Sequence, residues 1–277
     1  MKQEILKKLQ KYQIEILDEV VRICQKHKIQ YFIIGGNLIG AIRHKGFIPW
    51  DDDLDIAMMR EDYDKFLEVA TQEIDKRMLV DYAENNEYYY LPFAKIRLRD
   101  SIYEEPEQKN YQGPKGIWID IFPMDNANQE DSLFIRWQTF LKESIHFINA
   151  IKANVTSEKN SIMKKIIRFI FKPISTQKLV RLQQKIMKWE NRKEAKYCIS
   201  FGARYGMRKQ AMLKSVFLPA TQVEYEGKMY DAPGDYEFYL KRIYGDYMTL
   251  PPENKRVTHN PRRIKFPNEE ELQSEDM

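Results

Sequence analysis

The sequence predicts an α+β fold: a mixed sheet core flanked by helices, followed by a largely helical, basic C-terminal extension. Three observations carry this. Short apolar runs stopped by glycine, proline or aspartate alternate with helical spacings between Tyr31 and Asp125. Helical spacing with few glycines then takes over from 129 to 214. Between Lys152 and Lys214 there are 17 Lys plus Arg against three Glu, a local charge of +14, so the remainder of a chain with net charge +4 carries −10. Such a basic region calls for an anionic partner.

Taken in order, residues 2–28 make one amphipathic helix, with Ile5, Leu6, Leu9, Ile16, Leu17, Val20 and Cys24 on the apolar stripe. Tyr31–Ile34 is too short for a helix and ends at Gly35-Gly36, so it reads as a buried strand. Asn37 then caps a short helix through Arg43. A strand that turns through two glycines into a helix start aims backbone N–H groups at one spot with no Cβ in the way, which favours a phosphate. After Pro49-Trp50 comes Asp51-Asp52-Asp53-Leu54-Asp55-Ile56-Ala57-Met58. Strand periodicity there sets Asp51, Asp53 and Asp55 on one face and Leu54, Ile56 and Met58 on the other. Carboxylates so crowded repel one another unless a cation lies between them. Hard oxygen ligands of this kind suit Mg²⁺ or Mn²⁺ bridging a substrate's phosphates. A solvated acidic loop is the plainer reading of a charge run; the interleaved apolar residues and the upstream turn favour a metal-phosphate site.

Glu61–Ala70 has helical spacing and an acidic first turn. Met78–Val80 and Tyr90–Tyr103 read as strands, the second with Lys95, Arg97 and Arg99 at period two. Those cations either neutralise a pyrophosphate or lie on a solvated strand face. Gly116–Asp125 sets Asp120 inside an apolar strand, where it needs a cation or hydrogen-bond donors; Asp125 reads as a cap for the next segment. Ile162–Lys172 places apolar pairs four apart with cations opposite, which fits either a helix lying in a membrane interface or a core-facing helix with solvated lysines. Nucleic acid is excluded as a partner, since aromatic residues do not recur between the cations. Phe217–Pro233 suggests short strands turning at Gly227. Tyr236–Met248 is a helix ended by Gly245, Pro251-Pro252 and His259 come after it, and the acidic tail Glu269–Met277 is expected to fray.

The segment from Gly35 to Ile56, GGNLIGAIRHKGFIPWDDDLDI, resembles the signature of the LicD family of phosphotransferases, whose members have the nucleotidyltransferase fold. Trp118-Ile119-Asp120-Ile121-Phe122-Pro123 and the closing Tyr244-Gly245-Asp246-Tyr247-Met248, Pro-Pro and His are similar to further motifs of that family. The spacer between the glycine turn and the Asp pair is longer than in nucleotidyltransferases generally, as is typical of LicD-like chains, and Asn37 stands where Thr or Ser is frequent. The resemblance implies a nucleotidyltransferase-like core over 29–128 with the 1–28 helix packed on it. Residues 129–277, the helical basic region and the closing motif, are expected to continue the same domain.

It further implies a transferase that takes a phosphorylated alcohol, phosphocholine above all, from a CDP-activated donor to a hydroxyl of a lipid-linked or polymeric cell-surface glycan. Asp53, Asp55 and Asp120 are then the catalytic and metal-binding acids, with Asp120 or Asp51 as general base. Gly35, Gly36, Asn37, Arg43, His44, Lys45, Trp50, Asp51, Asp52, Lys95, Arg97 and His259 are assigned to the donor. Relatives moving glycerol or ribitol phosphate share these motifs. A nucleotidyltransferase using an NTP, and a non-enzymatic glycan- or membrane-binding module, are the alternatives. The N-terminus lacks the apolar stretch of a signal peptide, and Cys24 and Cys198 have no metal-ligand spacing. A cytoplasmic protein is therefore expected, touching the inner face of the membrane peripherally, if at all, through residues 162–172.

Overall fold

The ten-residue run Trp118–Ala127 forms the longest strand among the described residues, and the main sheet is built on both of its edges. The computed structural model describes residues 1–129, 132–156, 162–202, 205–256, 258–275 and 277. In chain order the elements are α1 (Gln3–His27), β1 (Phe32–Ile33), α2 (Gly35–His44), β2 (Asp55–Met59), α3 (Arg60–Glu73), β3 (Met78–Asp81), β4 (Ala94–Leu98), β5 (Ile102–Glu104) and β6 (Trp118–Ala127). Next come α4 (Leu133–Lys152), α5 (Ile162–Ile170), α6 (Thr176–Met187), β7 (Tyr197–Ile199), α7 (Met207–Gln210), β8 (Met212–Leu213), β9 (Thr221–Tyr225), β10 (Lys228–Ala232), α8 (Tyr236–Tyr244), β11 (Arg263–Lys265) and β12 (Glu271–Gln273).

The strand order is β1-β2-β6-β4-β3, with β2 and β6 parallel and the other pairs antiparallel; β7 adds to the far half of β6, and β8 to β7. This is the mixed α/β sheet that the sequence predicts. One core draws on α1 (Leu9, Ile16, Leu17), on the sheet (Ile56, Ile96, Ile121) and on the C-terminal part (Leu240, Ile264, Phe266). A small second cluster, Ala127, Ile135, Met187, Ile199, Phe201 and Ala211, lies under the basic helices. Both cysteines are buried and free.

The structure corrects several elements. Asp51–Leu54 is not strand: β2 begins only at Asp55. The carbonyls that a neighbouring strand would bond are taken by side chains, Gln10 on Asp51 O, Gln13 on Asp52 O and Asn37 on Asp53 O, each at 2.9 Å. The expected Tyr90–Tyr103 strand breaks where Asp100 takes a left-handed φ of 54°; β4 stays in the main sheet, while β5 leaves to pair with β11. Asp125 is no cap. It lies within β6, fully buried, and is held by Arg60 through Nε and Nη2 at 2.7 Å each, with Asn191 Nδ2 at 2.6 Å. The 129–214 stretch is helical as expected but also contains β7 and β8, too short to show periodicity; its residues 130, 131, 157–161, 203 and 204 lie outside the described residues. The acidic tail does not fray: β12 pairs with β11, and Lys2 N donates to Met277 O at 2.6 Å. Residue 276 lies outside the described residues.

β5 and β11 are fastened by a buried carboxylate. Glu104 accepts from Lys115 Nζ at 2.6 Å, Arg262 Nη1 at 2.6 Å and Arg263 Nη2 at 2.8 Å. Burial opposes its ionisation, but the bonds from Arg263 and Lys115 prevail and bring its pKa down from 4.5 to about 2. A carboxylate depressed in the folded state contributes stability that is fully present above its unfolded pKa and lost as pH falls through the folded one. Urea midpoints of the wild type should therefore drop as pH falls from 4.5 towards 2, and the Glu104→Gln variant, weaker at pH 7, should show a visibly shallower acid slope; equal slopes would remove Glu104 as the cause.

Candidate active site

α2 begins at Gly35 itself, in the left-handed region at φ 64°, with Ile34 extended before it. The glycine pair is thus the first turn of the helix and not a turn ahead of it. Its missing Cβ atoms admit acids: a Cβ on Gly36 would lie 3.0 Å from Asp51 Oδ2, and one on Gly35 3.4 Å from Asp55 Oδ2. Gly35 N donates to Tyr239 Oη at 3.3 Å. Asn37 makes no cap. Fully buried, it donates through Nδ2 to Asp53 O and to Tyr225 Oη at 3.2 Å, while its Oδ1 accepts from Asp55 N at 2.7 Å. One side chain therefore fixes both ends of the Asp53–Asp55 segment to α2.

Parallel pairing sets Asp55 directly beside Asp120, and the antiparallel pairing of β4 sets Lys95 on the other side of Asp120. Lys95 Nζ lies 2.5 Å from Asp120 Oδ1 and over the Trp118 ring, 4.2 Å from its centroid. Burial first, and repulsion among the acids next, push the carboxyls of Asp51 and Asp55 well above the usual range and raise that of Asp53 despite the attraction of His259. Asp51 Oδ2 is buried without a partner. His259 reaches in from the C-terminal segment: its Nδ1 is 2.8 Å from Asp52 Oδ1, and its Nε2 is 3.7 Å from Asp53 Oδ2 and 3.9 Å from Glu105 Oε1. The bond to Asp52, joined by the charge of Asp53, outweighs burial and holds the imidazole up at about 9.

These groups open on a cavity of about 470 Å³. Of the sequence-assigned residues it brings together Gly35, Asp53, Asp55, Lys95, Asp120 and His259. The others lie off its lining. Asp52 is 2% exposed, accepts from Tyr103 Oη at 2.6 Å and holds His259. Arg97 is bound to Asp81 Oδ2 at 2.6 Å and Gly116 O at 3.0 Å, past the cavity's edge along β4. Arg43 donates to Tyr247 O and to His44 Nε2, each at 2.9 Å, Lys45 is the left-handed residue ending α2, and Trp50 stacks under Arg256. Arg97, Arg43, His44 and Trp50 thus each have a partner within the fold. Gly36, Asn37 and Asp51 stand directly behind the lining.

Sequence reasoning missed the opposite wall: Tyr90, Glu105, Gln108, Lys142, Glu143, His146, Gly202, Tyr205 and Tyr239. The one legible signal was Lys142-Glu143 within the apolar run of α4. A second hollow of similar volume contains none of the acids above, and its Arg60 and Lys188 both pair with Asp64.

Among the described residues no three carboxylate, histidine or cysteine groups already stand at ligand distance from one point. The donor chemistry nonetheless suits a hard divalent cation: mutually repelling carboxyls, and one buried oxygen lacking a partner.

A mixed sheet in which two parallel strands present neighbouring aspartates to a cleft beside a glycine-led helix defines a nucleotidyltransferase-type domain. The family model described as LicD/FKTN/FKRP, nucleotidyltransferase domain, matches residues 28–150. The lipopolysaccharide cholinephosphotransferase LicD of Haemophilus influenzae is 31% identical over 270 residues, covering 94% of this chain and 97% of its own. The chain belongs to the LicD family. It is also 46% identical over 142 residues to protein RP689 of Rickettsia prowazekii, covering 42% of this chain and 52% of that one. A short segment of 43 residues is 42% identical to the human ribitol 5-phosphate transferase FKRP, 16% of this chain and 9% of that protein.

Replacing Asn37 by Ala leaves the Asp55 N–H and the Tyr225 hydroxyl buried without this partner. The expected loss is about 1–3 kcal/mol by urea denaturation, while Asn37→Asp, which restores only the acceptor and adds a fifth carboxylate, should fare no better. A neutral Asn37→Ala would show that the Asp53–Asp55 segment is held by other means.

Proposed function

We propose that this protein, a phosphotransferase of the LicD family, moves phosphocholine from a CDP-linked donor to a hydroxyl of a cell-surface glycan precursor and releases CMP. The observation that carries the reading is the adjacency of Asp55 and Asp120 on parallel strands, opening with Asp53 and His259 on one cavity, in a chain alignable over 94% of its length with a cholinephosphotransferase. The acceptor oxygen attacks the phosphorus that bears the choline; that P–O bond forms as the P–O bond to CMP breaks. The acceptor's proton passes to a carboxylate on the cavity, Asp120.

Asp53, Asp55 and Asp120 would hold Mg²⁺ or Mn²⁺, which when bound supplies positive charge to the pyrophosphate oxygens and the departing CMP. Lys95, beside Asp120, supplies a further positive charge to the donor. Protonated His259, held by Asp52, donates towards a phosphate oxygen. The aromatic lining of Tyr90, Phe93, Trp118 and Tyr205, with Glu105 among it, suits a quaternary ammonium better than a polyol, which supports choline over ribitol or glycerol. An acceptor presented at a membrane fits a peripheral seat through residues 162–172.

CMP release from CDP-choline, CDP-ethanolamine, CDP-glycerol and CDP-ribitol, with a lipid-linked glycan fraction and with and without Mg²⁺, tests the reading. Metal-dependent release from CDP-choline is expected; release of pyrophosphate from an NTP in its place would overturn it. Asp53→Asn and Asp55→Asn should each stay folded and lose turnover by about 10³-fold or more, in line with the loss of electrostatic groups at other phosphoryl-transfer sites.

A readout without turnover is thermal unfolding. Mg²⁺ or Mn²⁺ should raise the midpoint of the wild type and not of Asp53→Asn. Because the acids are raised, protons compete with the cation at higher pH than for ordinary carboxyls, so the increment should shrink as pH is lowered from 8 to 5. An increment independent of pH would speak against these ligands.

A further inference from the structure

Helix α4 is built inside out. Its buried face carries Ile135 near one end and then Gln138, Lys142 and Asn149, at 1%, 1%, 3% and 0% exposure. The opposite face carries Leu133, Trp137, Phe140 and Phe147, exposed by 83%, 51%, 67% and 44%. The four outer residues fall at i, i+4, i+7 and i+14, a single stripe along the helix. Two of the inward groups bond to neighbours: Gln138 Nε2 donates to Ile186 O at 2.6 Å and Lys142 Nζ donates to Phe201 O, while Gln183 Nε2 of α6 donates to Lys142 O at 3.1 Å; Gln138 Oε1 and both amide atoms of Asn149 are buried without a protein partner. A water-facing helix has the reverse arrangement.

Helix α5 repeats the inversion. No residue of it is buried, and Ile162, Met163, Ile166, Phe169 and Ile170 are 51–80% exposed. Its cationic side turns inward, Arg168 donating to Ile151 O at 3.2 Å and to Asn154 Oδ1 at 2.7 Å at the end of α4. Ile151, next on the α4 stripe, is fully buried where α5 meets it, so the outer face of α5 continues that of α4. Lys165 and Lys172 flank the apolar face of α5.

We propose that the joined outer faces of α4 and α5 form one docking surface for an anionic lipid bilayer, with α4, which the sequence did not mark, as its larger part. Apolar side chains sink among the acyl chains while the cations of the region meet phosphate headgroups. Charge selects this occupant over a second copy of the chain, since two such faces would bring together two regions of +14. Among the described residues no helix is long and apolar enough to cross a membrane, so the contact lies on the surface. The inner side of α4 supplies Lys142, Glu143 and His146 to the cavity. The cavity wall therefore stands about one helix diameter, roughly 10 Å, from the lipid. The docking holds whichever group is transferred.

The test is co-sedimentation of the full chain with vesicles of phosphatidylcholine alone and of phosphatidylcholine with phosphatidylglycerol, together with quenching of tryptophan fluorescence by brominated acyl chains. Binding to the anionic vesicles, weakened by salt, and quenching that falls in Trp137→Tyr, the remainder coming from Trp189, which stacks on Trp137 at 5.3 Å, are expected. Phe140→Ser with Phe169→Ser should weaken binding by at least about tenfold while leaving the far-ultraviolet circular dichroism and the thermal midpoint near those of the wild type. Should that double variant fail to fold, the quenching of Trp137 in the wild type decides alone. No binding to anionic vesicles, quenching unaffected by Trp137→Tyr, or a dimer in solution that shields Trp137 from a soluble quencher would each overturn the proposal.

Discussion

Four carboxylates held together at the middle of a sheet are the constraint on which the site depends. Asp51, Asp53, Asp55 and Asp120 cannot all ionise there without opposing charge, and burial adds to the cost. The surrounding structure deals with this in parts. Lys95 neutralises Asp120 directly, protonated His259 stands over Asp53, and the bare backbone of Gly35 and Gly36 lets Asp51 and Asp55 approach the positive end of α2. Ahead of β2 the carbonyls of Asp51, Asp52 and Asp53 are taken by three side-chain amides, from Gln10, Gln13 and Asn37, and that of Leu54 by Asp120 N of β6. The result is a pre-formed arrangement with negative charge left over, which is the electrostatic condition for attracting a cation and its phosphates.

The same accounting separates two kinds of buried aspartate on one strand. Asp120 and Asp125 both lie in β6, five residues apart and therefore on opposite faces. Asp125 is fully paired by the Arg60 fork and Asn191, and serves to join α3 and the segment after α6 to the sheet. Asp120 has a single monodentate lysine, is 14% exposed and opens on the cavity. Pairing capacity, and not burial alone, distinguishes the acid available for chemistry from the acid committed to the fold.

The chain also divides its charge. Its acids gather in the core and the rest of the nucleotidyltransferase-type domain, while its cations gather on α5, α6 and the segments just after them. α4 stands between the two regions, one side lining the cavity and the other turned outward with aromatic residues. Its inward glutamine and lysine bond carbonyls of α6 and of the loop after β7, so its orientation is fixed by polar contacts while its apolar stripe stays outside the core.

The sequence by itself determined the local elements whose patterns are dense: α1, the strand-and-helix unit around Gly35, the apolar register of Leu54, Ile56 and Met58, the Gly227 hairpin and the stop at Gly245. It also marked Asp53, Asp55 and Asp120, because carboxylates interleaved with apolar residues, and a charge inside an apolar strand, are costly unless compensated; Lys95 and His259 were marked only through the resemblance to the LicD family. Only tertiary structure decided which charges were already compensated. Arg97, Asp52, Arg43 and Trp50 meet partners distant in sequence, Asp81, Tyr103, Tyr247 and Arg256, and lie off the cavity lining, whereas Lys95, itself paired with Asp120, lies on it. The far wall of the cavity, from Tyr90 to Tyr239, was silent for the same reason. Its members lie on segments with no shared periodicity and meet only when β5, α4 and α8 close over the acids. Amphipathic spacing, finally, gives the existence of a polar and an apolar face but not which of them turns inward. That depends on what the neighbouring elements offer, and for α4 they offer carbonyls.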